Sequence, residues 1–232
     1  MQTIGLIGGL SWESSAVYYK ISNQQIQARL GGVHSCKCLM YSVDMGEIVP
    51  LQHSEDWAAL TATMIDAAQR LERGGADFIV LCTNTMHKVA DEMCASINIP
   101  FLHIADATAE AIAAKKMKKV ALLGTKFTME QDFMRNKFTE HGIQTIIPNA
   151  EQRAEIHRII YTELIKGIIS DASREIYIHI INDLQAQGAE GVVLGCTEIG
   201  LLVKPEHTAL PLFDTTEIHA MKAVEMALVD NS

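Results

Sequence analysis

The chain contains two similar segments, and each ends in a cysteine followed by a threonine. The first, GADFIVLCTN, places Cys82 before Thr83, and the second, GAEGVVLGCTE, places Cys196 before Thr197. Each segment begins with a small-residue turn, continues as an apolar strand and reaches its cysteine where the strand ends. A thiol with a pKa near neutrality can accept or donate a proton. One thiol in each half of the chain could therefore face each side of a substrate and act as a pair of opposed acid–base groups.

Two further pairs of segments repeat at a similar distance along the chain. Residues 100–108 resemble residues 211–216, and residues 4–8 resemble residues 120–124, so that all three pairs are offset by 111 to 116 residues. This period is too long for a solenoid repeat. It indicates a duplicated α/β unit.

Strand-like and helix-like segments alternate along the chain, as parallel βαβ units require. The expected strands are residues 3–8, 37–43, 77–82, 101–104, 119–124, 143–148, 191–196 and 210–213. The expected helices are residues 12–30, 55–73, 85–96, 107–114, 128–141, 151–166, 170–187 and 215–228.

The alternation predicts an α/β fold made of two similar parallel-sheet domains related by a pseudo-twofold axis. We expect residues 1–104 plus 213–232 to form the first domain and residues 105–212 to form the second. Ligands of such sheets bind beyond the carboxyl ends of the strands, where both cysteines fall. We therefore expect the active site in the cleft between the domains.

Composition excludes several classes of partner. The formal net charge of −9 argues against nucleic acid, which is bound by clustered Lys and Arg. No apolar run approaches the roughly 20 residues that cross a bilayer, and the first apolar run lacks the charged flank of a signal peptide. Five cysteines, an odd number, fit reduced thiols and a cytoplasmic location.

Neither a metal nor a cofactor is expected from the motifs. Cys36 and Cys38 lack the two-residue spacing of a metal knuckle, and His87 is the only candidate ligand near Cys82. The segment GGLS at residues 8–11 has neither the phosphate-loop ending nor the dinucleotide fingerprint. It is either a backbone turn or a substrate contact through Ser11.

The surroundings of the cysteines favour proton transfer at carbon. A cysteine between a strand and a helix lies near backbone N–H groups and the positive helix end, which lower a thiol pKa. Thr83, Asn84, Thr85 and Thr197 add donors that could hold a carboxylate and stabilise an enolate-like carbanion. Two such thiols would permit two-base racemisation of an amino acid without a cofactor. A strand-end cysteine can also be simple packing, and an amidase or isomerase with a single nucleophile needs only one of them.

These residues resemble the aspartate/glutamate racemases, and the resemblance covers essentially the whole length. Its most specific parts are LCTNT at residues 81–85, GCTE at 195–198, GGLSWES at 8–14 and LGTxxT at 123–128. The resemblance implies two similar α/β domains, an active site at their interface, an amino-acid substrate, no cofactor and a homodimer. It implies that Cys82 acts on the D-enantiomer and Cys196 on the L-enantiomer. It also implies substrate contacts by Thr83, Asn84, Thr85, Thr125 and Thr197.

The side-chain specificity departs from the family pattern. Archaeal-type aspartate racemases hold the side-chain carboxylate with an Arg in the loop after the second strand, whereas residues 48–53 here read IVPLQH. Gln52 and His53 remain as hydrogen-bonding groups, and Lys166 is a counterpart of the family lysine or a helix-end lysine. Racemisation of aspartate or glutamate is the leading function. The alternatives are a broad-specificity racemase, a hydantoin racemase or maleate isomerase, and a non-catalytic ligand-binding module.

Overall fold

Each half of the chain forms its own four-stranded parallel sheet in the computed structural model, which describes residues 1–229. The strands of the first sheet are β1 (Ile4–Gly8), β2 (Cys38–Ser42), β3 (Phe78–Leu81) and β4 (Phe101–Leu102), and those of the second are β5 (Lys119–Gly124), β6 (Gln144–Ile146), β7 (Gly191–Gly195) and β8 (Leu212–Asp214). Their orders are β2-β1-β3-β4 and β6-β5-β7-β8. The two sheets thus have the same strand order, and the predicted α/β fold with two similar parallel sheets is confirmed.

Eleven α-helices flank the sheets in the described part of the chain. They are α1 (Trp12–Leu30), α2 (Met45–His53), α3 (Trp57–Arg73), α4 (Ala90–Cys94), α5 (Ile104–Ala114), α6 (Lys126–Glu130), α7 (Asp132–Glu140), α8 (Ala150–Thr162), α9 (Asp171–Ala186), α10 (Ile199–Leu202) and α11 (Thr215–Leu228). Short 3-10 turns lie at Thr85–Val89, Leu164–Lys166 and Pro205–His207.

Central strands are buried on both faces, which explains their continuous apolar sequences. Every residue of β1, β3 and β7 is buried. Helix α3 buries one apolar face, with Leu60, Met64 and Leu71 in the same cluster as Ile7 and Leu81 of the first sheet. Each fully buried aliphatic side chain contributes about 1.5–3 kcal/mol relative to exposure, so these faces hold the sheets in place.

Three expected helices are shorter or interrupted. Residues 85–96 form a 3-10 turn followed by the five-residue α4. The expected helix 128–141 is divided because Gln131 has an extended backbone. The expected helix 151–166 ends at Thr162, and residues 164–166 form a separate 3-10 turn.

The segment expected to be a loop after the second strand is helical. Helix α2 spans Met45–His53, and the Asp44 side chain caps it by accepting a hydrogen bond from the Gly46 N–H. Pro50 lies inside the helix. A proline removes an internal donor and normally argues against a helix, which is why the sequence did not indicate this one.

The chain crosses between two compact units at two places. One unit is Met1–Ile104 together with the segment from His219 onward, and the other is Ala105–Ile218. The sequence led us to expect the return to the first domain at residue 213. Strand β8 pairs with β7, which keeps residues 212–214 in the second unit, and the chain returns within α11.

No helix within residues 1–229 combines the length and the apolar character needed to cross a membrane.

Candidate functional site

Cys82 immediately follows β3 and is held against β1. Its N–H donates to the carbonyl oxygen of Ile7 at 3.0 Å. The side chain is completely buried, and Sγ lies 4.0 Å from the carbonyl oxygen of Val80. Burial raises the pKa of the Cys82 thiol, and the nearby Cys38 raises it further.

The polar residues after Cys82 form a tight turn. The Thr83 N–H donates to the carbonyl oxygen of Leu81 at 2.8 Å, and the Asn84 carbonyl accepts from the His87 N–H at 3.1 Å. Asn84 and Thr85 are buried and Thr83 is half-buried. The three predicted polar residues therefore lie together, directly beyond the strand that carries the thiol.

His87 fixes this turn. Its Nε2 accepts a hydrogen bond from the Ile104 N–H at 3.1 Å, so the ring proton resides on Nδ1, which donates to the Thr83 carbonyl oxygen at 2.7 Å. The ring is buried, and burial holds the pKa of His87 well below its usual value. Both ring nitrogens are engaged, so His87 is a structural support for the turn.

Ser11 lies at the start of α1, in the turn beyond β1. Its Oγ accepts from the Ser14 N–H at 3.2 Å, and its carbonyl oxygen accepts from the Ser15 hydroxyl at 2.9 Å. Gly9 has a φ of +84°, and a Cβ there would lie 2.0 Å from the carbonyl oxygen of Val43, so this turn requires glycine.

A serine that sequence reasoning had missed links this opening turn to the thiol segment. The Ser14 hydroxyl donates to the carbonyl oxygen of Cys82 at 3.4 Å. The only sequence signal was its place in the segment GGLSWES.

Gln52 lies beside the same thiol segment. It is a buried residue of α2, and its Nε2 donates to Sδ of Met86, in the 3-10 turn after Cys82, at 3.5 Å. His53, the next residue, is exposed. The unexpected helix α2 thus turns Gln52 inward and His53 outward.

Cys196 follows β7 as Cys82 follows β3. Its side chain is 8% exposed, and Sγ donates to Oε2 of Glu198 at 3.1 Å. The Thr197 hydroxyl donates to the same Oε2 at 2.7 Å. Glu198 is only 5% exposed, and its Oε1 makes no hydrogen bond within the described chain. Sequence reasoning had given Glu198 no role, although its position in the GCTE segment was the available signal.

Cys196 lies in an apolar core cluster, with the acidic side chain of Glu198 beside its thiol. Burial raises the pKa of the Cys196 thiol well above its usual value, and Glu198 raises it further. Two tyrosines share this environment. Burial raises the pKa of Tyr161 to about 12 and that of Tyr177 well above its usual value, and the nearby Cys196 is the second cause in both cases.

Thr125 lies at the neighbouring strand end. Gly124, the last residue of β5, pairs with Gly195 of β7, so Thr125 and Cys196 are each one residue beyond this pair. Thr125 caps α6 by accepting from the Thr128 N–H at 3.3 Å. A Cβ on Gly124 would approach the Gly195 carbonyl oxygen to 2.8 Å, so these two strand ends need a residue without a side chain.

Lys166 is not joined to the other predicted residues of the second unit by any hydrogen bond or ion pair within residues 1–229. Its side chain is exposed, at the end of the 3-10 turn Leu164–Lys166, and the next residue, Gly167, has a left-handed backbone. Leu164, in the same turn, is buried in the core cluster that contains Cys196.

The expectation that helix starts lower the pKa of both thiols is wrong for this structure. Only a 3-10 turn follows Cys82, and only the four-residue α10 follows Cys196. Such short segments have small dipoles. Desolvation, which disfavours the thiolate, therefore dominates in both units.

The described residues contain no group of three or more His, Cys, Asp or Glu side chains arranged to hold a metal ion. What each unit does present is a thiol beside hydroxyl, amide and main-chain donors. That set can move a proton and stabilise negative charge.

Comparison with known proteins identifies the family. Residues 7–223 match the Asp/Glu/Hydantoin racemase family model. A structure from Yersinia pestis, assigned to the Asp/Glu racemases, is 50% identical over 98% of this chain and 100% of that chain, with a TM-score of 0.92. An aspartate racemase homologue from Pyrococcus horikoshii OT3 is 36% identical over 98% and 99% of the two chains, with a TM-score of 0.85.

A curated relative extends the comparison to a named activity. The broad specificity amino-acid racemase RacX of Bacillus subtilis (strain 168) is 25% identical over 79% of this chain and 77% of its own. The family and its relatives are racemases, and racemases are isomerases. The resemblance found in the sequence is thereby confirmed, and the chain belongs to the Asp/Glu/Hydantoin racemase family.

Proposed function

We propose that the protein interconverts L- and D-aspartate, L- and D-glutamate, or both, with Cys82 and Cys196 as the two acid–base groups. One observation carries the proposal: each thiol stands one residue beyond the third strand of its sheet order, is buried and is followed by threonine. A single packing cysteine would not need a matched partner in the other unit.

In the proposed reaction each thiol serves one face of the substrate Cα. A thiolate takes the Cα proton, the electron pair of the broken C–H bond remains on the substrate as an enolate-like carbanion, and the other thiol returns a proton to the opposite face. By the family resemblance, Cys82 deprotonates the D-enantiomer and Cys196 the L-enantiomer. The substrate carboxylate is assigned to the hydroxyl, amide and main-chain donors of the two thiol segments and the β5 end, namely Ser11, Thr83, Asn84, Thr85, Thr125 and Thr197.

We propose that the reaction uses no metal and no organic cofactor. The engagement of both ring nitrogens of His87 by Thr83 and Ile104 supports this. We also propose a homodimer and a cytoplasmic location. All five cysteines are free thiols, which supports a reducing compartment.

Broad amino-acid specificity is the second candidate. It is favoured by the similarity to the Bacillus racemase and by helix α2, in which the neutral Gln52 is the buried polar side chain. Hydantoin racemisation and maleate isomerisation are the alternatives with the same fold.

Replacement of either thiol tests the mechanism. Cys82→Ser and Cys196→Ser should each reduce racemisation by about 100-fold or more, because one face of Cα then has no effective acid–base. Loss of Cα–H in D₂O, followed by NMR with L- and D-amino acids, measures both racemisation and exchange. Each variant should still exchange the Cα proton of the enantiomer that faces its surviving thiol.

Cys94→Ser is the matched control, because Cys94 ends α4 and has no role in the proposal. It should racemise at the wild-type rate. A wild-type rate in either Cys82→Ser or Cys196→Ser would refute the two-thiol mechanism.

A further inference from the structure

The Cys196 thiol has an ionisable partner at a position where the Cys82 segment has a neutral residue. Two residues after Cys196 stands Glu198, whose Oε2 accepts the thiol hydrogen bond at 3.1 Å. Two residues after Cys82 stands Asn84. The repeated segments are therefore alike in their thiols and unlike in what surrounds them.

A carboxylate beside a buried thiol affects how that thiol loses its proton. A buried thiol loses its proton to water with difficulty because the thiolate is poorly solvated. A nearby carboxylate makes the thiolate still less favourable for as long as the carboxylate is ionised. This repulsion between the carboxylate and the thiolate disappears if the thiol proton moves onto the carboxylate itself.

The geometry of Glu198 fits the part of proton acceptor. Its Oε2 accepts the Cys196 thiol hydrogen bond at 3.1 Å and a second hydrogen bond from the Thr197 hydroxyl at 2.7 Å. Its Oε1 is buried and makes no hydrogen bond with any residue from 1 to 229. A buried polar atom without a hydrogen bond costs free energy, so the surroundings leave the Glu198 carboxylate with unused bonding capacity.

We propose that Glu198 is a positioning residue that aims Cys196 and takes its proton, so that Cys196 can act as the base for one enantiomer. This inference rests on the proposed two-thiol function. The S–H bond of Cys196 breaks as an O–H bond forms on Glu198, which leaves a thiolate beside a neutral carboxylic acid. The thiolate then takes the Cα proton, and Cys82 gives its own proton to the carbanion.

The three groups hold two protons before and after turnover, and three while the substrate is a carbanion. Before turnover the protons are on both thiols, and after it they are on Cys196 and Glu198. The enzyme returns to its starting state when Glu198 releases one proton to solvent and Cys82 takes one up.

Glu198→Gln removes the acceptor and keeps the side-chain shape. We expect kcat/KM near neutral pH to fall by about 100-fold. The fall must be equal in both directions, because the equilibrium constant of racemisation is one. In wild type, kcat/KM should change little between pH 7 and 9. In the variant it should rise by about tenfold per pH unit, because hydroxide must then remove the thiol proton.

Two control variants distinguish proton acceptance by Glu198 from the effect of a nearby negative charge and from a change in side-chain structure. Asp214→Asn removes a half-buried carboxylate that also raises the pKa of Cys196, but Asp214 accepts its hydrogen bonds from the N–H groups of Thr216 and Glu217. It should keep the wild-type pH profile. Glu198→Asp keeps a carboxylate at a longer distance and should lose about 3- to 10-fold in rate, with the wild-type pH profile.

The isotope effect of Cα-deuterated substrates locates the affected step. In Glu198→Gln it should increase for the enantiomer that Cys196 deprotonates and decrease for the other. If the Glu198→Gln enzyme keeps the wild-type pH profile, the inference is overturned, whatever the catalytic rate of the variant. If that variant does not fold, an unaltered rate in Glu198→Asp overturns it. A wild-type rate in Cys196→Ser would instead refute the proposed function, whatever Glu198 does.

Discussion

At the scale of single residues, burial of the two thiols makes each thiolate harder to form but more basic once it has formed. It raises the pKa of Cys82 and Cys196, so each thiol keeps its proton in the ligand-free protein. The same environment makes each thiolate, once formed, a stronger base toward a weakly acidic Cα–H bond. The cost of forming a thiolate in an apolar pocket is thus linked to its strength as a base.

Side-chain selection also belongs to this scale, and Lys166 is the candidate for it. A charge-assisted hydrogen bond to a substrate carboxylate is worth about 1.5–3 kcal/mol, or about 10- to 100-fold in affinity. Lys166→Ala should therefore raise KM for aspartate or glutamate more than for the neutral homoserine. Steady-state kinetics with both substrates measures the difference.

Lys116→Ala provides the control for this prediction. Lys116 is another exposed lysine of the second unit, so its loss removes the same charge from a site with no proposed role. It should leave both KM values unchanged. If Lys166→Ala affects aspartate and homoserine equally, Lys166 is a helix-end lysine and broad specificity becomes the better interpretation.

At the scale of elements, two buried histidines join the parts of the first unit that surround Cys82. His87 connects the 3-10 turn to the start of α5 through its bonds to Thr83 and Ile104. His219 of α11 donates from Nε2 to the Leu102 carbonyl oxygen of β4 at 2.9 Å and accepts at Nδ1 from the Tyr18 hydroxyl of α1 at 2.8 Å. Both rings work as neutral groups, because each has one donor and one acceptor nitrogen in use.

This arrangement predicts a loss of stability in acid. Burial lowers the pKa of His219 to about 3, whereas an unfolded histidine titrates near 6.5. Between those values the unfolded chain binds a proton that the folded chain does not, so the free energy of unfolding falls as the pH falls below about 6.5. The contribution of one such group is at most about 1.4 kcal/mol per pH unit.

Comparison with His219→Gln isolates this contribution from that of all other groups. At pH 7 the variant should be less stable than wild type, because it cannot make both hydrogen bonds. Denaturant unfolding at pH 7, 6 and 5 should show this difference shrinking as the pH falls. A difference that is constant with pH would contradict the assignment of a neutral buried ring.

At the scale of the whole molecule, the chain uses one sheet design twice. Each unit places a glycine strand end next to a thiol strand end, Gly8 beside Cys82 and Gly124 beside Gly195 and Cys196. The proposed two-base reaction uses one thiol from each unit. Neither unit alone carries both groups.

The family resemblance also leads us to expect a homodimer. Light scattering after size-exclusion chromatography should give twice the chain mass of 25.5 kDa. The mass should stay at that value on tenfold dilution if the dimer is stable. A single-chain mass at every concentration would contradict the expectation.

The sequence by itself determined the duplication, the parallel α/β class and the family, and it located the two matched Cys-Thr segments. These features are local or repeated: continuous apolar strands, glycine-ended helices and the Cys-Thr segments are visible without any tertiary contact. The helices at Trp12–Leu30 and Thr215–Leu228 were predicted with the bounds that the structure has.

Only the tertiary structure decided how those residues are surrounded. Helix α2 forms despite Pro50 and buries Gln52, the segment after Cys82 becomes a 3-10 turn held by His87, and Glu198 accepts the Cys196 hydrogen bond. The direction of both thiol pKa shifts was mispredicted because local sequence shows a nearby helix start but does not show desolvation. Burial and long-range hydrogen bonds depend on segments far apart in the chain, and in this protein they outweigh the local effects.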